Sequence, residues 1–113
     1  MPKSALRSYS RYGREAVALL GALIRAARRE RKMTAQEIAE RAGISRGLVQ
    51  RIEKGDLKCE IGAAFEVATI VGIKLFDADD SSLRVRMRQT EEKLALLPKS
   101  VRKKESKVVE DDF

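Results

Sequence analysis

The sequence predicts an all-α protein, and three observations carry that expectation. Apolar residues recur at spacings of three and four along most of the chain, the period of a helix with one buried face. Helix-start residues stand in front of these stretches, most clearly Thr34 with Glu37 three places on, and Gly43, Gly55 and Gly72 close them. The length of 113 residues suits one core, and no apolar run reaches the roughly 20 residues that a membrane-spanning helix needs.

Residues 1–14, MPKSALRSYSRYGR, lack an apolar stripe and carry Pro2, Gly13 and several serines, so they read as a basic flexible arm. A folded domain is expected over residues 15–76. Its first helix is marked by Ala16, Leu19, Leu20, Leu23, Ile24 and Ala27, with Arg25 and Arg29 on the outer face. The second opens at Thr34, where threonine and Glu37 form a capping box, places Ala35, Ile38, Ala39 and Ala42 on one face, and stops at Gly43. Ser45 caps a third helix over Arg46 to Lys54, ended by Gly55. A fourth, from about Ile61 to Val71, turns Ile61, Ala64, Phe65, Ala68 and Val71 inward and stops at Gly72.

Beyond it, IKLFDADD is consistent either with a short helical turn that closes the core or with the start of a dimer contact. Residues 77–97 read as a hinge and a C-terminal helix: the acidic DADDSS stretch caps a helix from about Leu83 to Leu97, with Leu83, Met87, Leu94 and Leu97 on its apolar face and Pro98 beyond its end. Residues 98–113 form a charged tail without pattern, and disorder is its default state.

Composition narrows the chemistry. There is no histidine and a single cysteine, Cys59, which excludes most metal sites, the Ser/His and Cys/His nucleophile pairs and any internal disulfide. No phosphate loop and no paired carboxylates in an apolar setting are present, so no enzyme activity and no cofactor are expected. The formal charge is +7, and Met1 to Lys32 account for the whole of it, with nine bases against two acids. Such a bias also occurs in transit peptides, but Ala16 to Arg31 are needed for the fold. A basic segment on a folded domain suits an anionic polymer such as nucleic acid.

On a helix that advances 100° per residue, placing Arg46 at 0° puts Gln50 near 40°, Lys54 near 80°, Gly47 near 100° and Arg51 near 140°, all of these being approximate. Leu48, Val49 and Ile52 fall on the opposite side. The outward face is either a solvated helix surface or one suited to a DNA major groove. Arginine can give two parallel hydrogen bonds to guanine, and glutamine can pair with adenine. The preceding short capped helix and glycine-centred turn favour the second, because together they make a helix-turn-helix. Gly47 is anomalous, since glycine inside a helix costs about 1 kcal/mol against alanine.

The stretch LIRAARRERKMTAQEIAERAGISRGLVQRIEKG, with Ala39, Gly43, Val49, Ile52, Glu53 and Gly55 at their characteristic spacings, resembles the Cro and lambda-repressor (XRE) family of helix-turn-helix proteins over about Leu20 to Phe76. The resemblance implies a five-helix lambda-repressor-like domain that binds a palindromic operator on double-stranded DNA as a homodimer and represses transcription. It implies base reading from Arg46, Gly47 and Arg51, with Gln50 next, and phosphate contacts from Lys54 and Lys58. Thr34, Gln36 and Ser45 would anchor the DNA backbone through side chains or helix-end amides. Arg28 and Glu53 would form a structural salt bridge. Two departures stand out: many members open the second helix with a phosphate-clamping glutamine where this chain has Ala35, and many carry a polar side chain where it has Gly47. The missing side chain at Gly47 would permit close approach to the base pairs.

The segments GIKLFDADDSSL, LALLPKSVRKK and VVEDDF are similar to HipB-like antitoxins. That likeness implies an autoregulating antitoxin of a type II toxin-antitoxin system, with a HipA-like kinase toxin as partner, in a bacterial cytoplasm. The alternative is a stand-alone repressor without a toxin.

Overall fold

The computed structural model describes residues 8–101 and 103, and all regular structure among them is helical. Residues 1–7 of the expected arm and most of the expected tail, residues 102 and 104–113, lie outside the described residues. Two compact units divide between Asp77 and Ala78.

In the first unit, α1 spans Arg11–Glu30, α2 Ala35–Ala42, α3 Arg46–Glu53 and α4 Ile61–Ile70, followed by a 3-10 turn at Leu75–Asp77. The α1 helix begins inside the stretch expected as an arm. Ser10 is the cause: its Oγ accepts from the Gly13 amide at 3.0 Å, so the helix starts well before its apolar stripe.

Ile24, Ile38, Ala39, Val49, Ile52, Val67, Ala68 and Val71 form one buried cluster drawn from all four helices. Three inward assignments change. Leu19 and Leu23 are 59% and 47% exposed, because α1 turns Gly21, Ile24 and Arg28 toward the other helices instead. Ile61 is 70% exposed, and Val67, which was not expected inward, is fully buried. The buried stripe of α4 is centred on Val67, Ala68 and Val71, leaving Ile61 and Phe65 at its margin. Phe65 meets Phe76 edge to face at 6.4 Å between ring centres.

All four helices end by one device. A residue in the left-handed region follows the helix, and the next amide reaches back to a carbonyl five residues earlier. These bonds are Met33 to Arg28, Ile44 to Ala39, Asp56 to Arg51 and Ile73 to Ala68, at 2.9 to 3.1 Å. Gly43, Gly55 and Gly72 supply the positive φ in three cases, and Lys32 does so after α1 at φ 57°.

The second unit holds α5, Asp80–Leu96. Asp79 caps it by accepting from the Ser82 amide at 2.9 Å, so it starts three residues before Leu83. None of its residues is buried, and Leu83, Met87, Leu94 and Leu97 are all exposed. No helix among the described residues is long and apolar enough to cross a membrane.

Candidate nucleic-acid interface

The second and third helices form a helix-turn-helix whose ends are held by local bonds. Thr34 Oγ1 accepts from the Glu37 amide at 3.0 Å while Glu37 Oε1 accepts from the Thr34 amide at 2.8 Å, completing the capping box. Gly43 takes φ 72°, which lets the chain reverse into Ile44 and Ser45. Ser45 Oγ then accepts from the Leu48 amide at 3.0 Å and starts α3. A serine in that role leaves the amides of Arg46 and Gly47, in the first turn, without intrahelical partners.

Val49, Ile52 and Glu53 of α3 are buried and Leu48 is half-buried, so the helix docks along the side that its periodicity indicates. Arg46, Gly47, Gln50, Arg51 and Lys54 are all exposed, and so is Lys58 in the following loop. A Cβ at Gly47 would have only Ser45 Oγ near it, at 3.9 Å. Packing therefore places no demand for glycine there. Gly47→Ala is expected to stabilise the fold by about 1 kcal/mol in thermal or urea unfolding, through helix propensity alone.

Gly21 is the opposite case. A Cβ there would lie 2.5 Å from the Ile52 carbonyl oxygen and 2.8 Å from that of Glu53. The bare backbone of α1 thus lies directly on the last turn of α3. The contact fixes the exposed face of α3 relative to the core. The signal for it in the sequence is a glycine amid strong helix formers, which marks a close approach.

The same junction holds Arg28 and Glu53. Arg28 Nε and Nη2 donate to Glu53 Oε2 and Oε1 at 2.6 and 3.0 Å, a two-pronged pair whose side chains are 15% and 6% exposed. Arg28 Nη1 also donates to the Met33 carbonyl at 2.9 Å, which ties the turn before α2 to the end of α3. The hydrogen bond to Glu53 raises the Arg28 pKa above the ordinary arginine value, and burial opposes it in part. Arg28 thus keeps its charge near neutrality, and its partner lies under the exposed face of α3 rather than on it.

Two residues expected at the DNA backbone are otherwise engaged. The Thr34 amide is taken by Glu37, leaving the Thr34 hydroxyl hydrogen as its donor. Gln36 Nε2 donates to Glu40 Oε2 at 3.1 Å, one turn along α2. That spacing of four was visible in the sequence.

A third engagement was not foreseen. Arg51 Nε lies 3.3 Å from Asp56 Oδ2, and Asp56 Oδ1 accepts from the Lys58 amide at 2.8 Å. The signal for it is an acid immediately after Gly55, since the helix-ending turn returns that position to Arg51. Among the described residues no group of three or more histidine, cysteine, aspartate or glutamate side chains is placed to hold a metal ion.

Residues 19–72, from within α1 to the close of α4, match a family model described as a helix-turn-helix domain. No curated protein matched the chain, and no solved structure did.

Proposed function

From the helix-turn-helix match across residues 19–72, we propose that this protein is a sequence-specific regulator of transcription that binds double-stranded DNA through α3. The observation that carries this reading is the exposed face of that helix. Arg46, Gln50 and Arg51 surround a position without a side chain, and nothing in the fold requires that position to be bare. Arg46 and Arg51 read base edges, Gln50 supports them, and bare Gly47 lets the helix sit deep in the groove. Lys54 and Lys58 contact phosphates, and Ser45 and the first-turn amides of α3 anchor the flanking backbone.

In this reading the protein acts as a homodimer on a palindromic operator and represses by covering a promoter. A gel-shift assay against its own promoter fragment and a random duplex tests it. Arg46→Ala or Arg51→Ala should cost about 1 to 3 kcal/mol on the preferred site and relax the choice of base there. Lys58→Ala should weaken all sequences alike and shallow the salt dependence. Equal losses on both duplexes for all three variants would sink the assignment.

A protein partner is favoured by α5, whose Leu83, Met87, Leu94 and Leu97 are exposed on a helix with no buried residue. The partner in this proposal is a HipA-like kinase toxin, which makes the protein an autoregulating antitoxin of the bacterial cytoplasm. The stand-alone repressor remains the alternative. Co-purification with the product of the neighbouring gene separates the two.

A further inference from the structure

We propose that Asp56 is a positioning residue that sets the base preference of Arg51. The inference rests on the DNA-reading function of α3 and adds to it a residue that touches no base.

The four helices of the first unit share one kind of ending. In this type of ending the residue past the left-handed one comes back against the residue five before it, and the contact is commonly apolar. After α1, α2 and α4 that residue is Met33, Ile44 and Ile73, each partly buried against the core. After α3 alone it is an acid. The Asp56 amide donates to the Arg51 carbonyl at 3.0 Å, so the same turn that ends α3 delivers a carboxylate to the Arg51 side chain.

That carboxylate is itself held. Oδ1 accepts from the Lys58 amide at 2.8 Å, and Oδ2 faces Arg51 Nε at 3.3 Å. Both oxygens are used, and the rotation of Asp56 is set by backbone rather than by mobile side chains. Arg51 is 56% exposed and projects from the recognition face. An exposed ion pair of this kind adds little to stability. Its consequence is orientation.

Arginine presents five N–H donors in a planar fork. With the Asp56 carboxylate nearest Nε, the two terminal nitrogens are the donors left for a partner. Those two donors match the O6 and N7 acceptors of guanine end-on. A long side chain that is ordered before binding loses less freedom at the interface. Asp56 therefore narrows Arg51 to one approach, and the base it favours is guanine.

The experiment selects binding sites from a randomised duplex library with the full chain, followed by sequencing. The wild type should show a guanine at one position of each half-site that Arg51→Ala relaxes. Asp56→Asn keeps an acceptor for the Lys58 amide but loses the carboxylate. It should reduce the guanine preference at that same position by about threefold to tenfold, the range expected from ordering one long side chain. Other positions should hold, and the unfolding midpoint should stay within about 2 °C. Asp56→Ser, which also retains an acceptor for Lys58, should behave the same way and guards against a misfolded first variant.

If Asp56→Asn instead tightens binding to every sequence equally, Asp56 is only a nearby negative charge and the proposal is overturned. It is also overturned if Arg51→Ala relaxes no position while Arg46→Ala does, since Arg51 then reads nothing although α3 does. A wild-type chain without any preferred sequence refutes the DNA-reading function itself, a result distinct from both.

Discussion

Replacing Glu53 by alanine should cost about 3 kcal/mol of folding stability, the lower end of what breaking a buried ion pair costs. Glu53 is 6% exposed and accepts two hydrogen bonds from Arg28, so its removal strands a guanidinium that is itself only 15% exposed. The lower end applies because Arg28 keeps its bond to the Met33 carbonyl and can turn partly toward solvent. The measurement is urea unfolding followed by circular dichroism at several pH values. Arg28 has a pKa raised by Glu53, so its share of the stabilisation is complete below the ordinary arginine range and is lost only as pH rises through the higher folded value. The Arg28 side of the pair therefore contributes no pH dependence near neutrality. Replacing both residues by leucine should recover much of the loss, because the uncompensated charge disappears with its partner. A Glu53→Ala protein as stable as the wild type would show that the pair is incidental.

Gly21→Ala should destabilise by roughly 2 kcal/mol, as overpacking does in a site that cannot yield. The new methyl group would meet the Ile52 and Glu53 carbonyl oxygens at 2.5 and 2.8 Å, and both are backbone atoms in the last turn of α3. Relief requires α1 to move away from α3, which also stretches the Arg28–Glu53 pair. Gly47→Ala makes the same chemical change in a helix where nothing resists it. The two variants should therefore shift the unfolding midpoint in opposite directions. On the proposed function, Gly21→Ala should lower DNA affinity as well, since α3 loses its seat. Stability that rises in both would mean that the α1–α3 contact gives way easily.

Most of the helices were legible because their signals are local. Thr34 with Glu37, Ser45 at the start of α3 and Asp79 before α5 mark helix starts that bond within three residues, and such bonds form wherever the chain takes that conformation. The α1 start was misplaced for the same kind of reason. Apolar periodicity announces where a helix begins to be buried, whereas Ser10 begins it earlier by capping. The inward faces were read less well. Leu19, Leu23 and Ile61 follow helical spacing yet point outward, since a spacing of three and four defines a stripe without stating which of two neighbouring stripes meets the partner helix.

The candidate site divides along the same line. The outward arc of Arg46, Gly47, Gln50 and Arg51 follows from the turn of one helix and from Leu48, Val49 and Ile52 opposite it, and the sequence alone determined it. So did the glycine-centred turn that makes a helix-turn-helix. Which donors are already engaged divides further: the Thr34–Glu37 box and the Gln36–Glu40 bond follow from local spacing, whereas the ion pair of Arg51 with Asp56 was seen only once the turn after α3 brought the two together. Side chains choose partners by distance, and distance across a turn or between helices is not written in any one residue. Glycine shows the limit most plainly. Gly21 and Gly47 are the same residue in the same kind of helix, and only the carbonyls of α3 lying against one, with open space beside the other, reveal that Gly21 is required by packing and Gly47 is not.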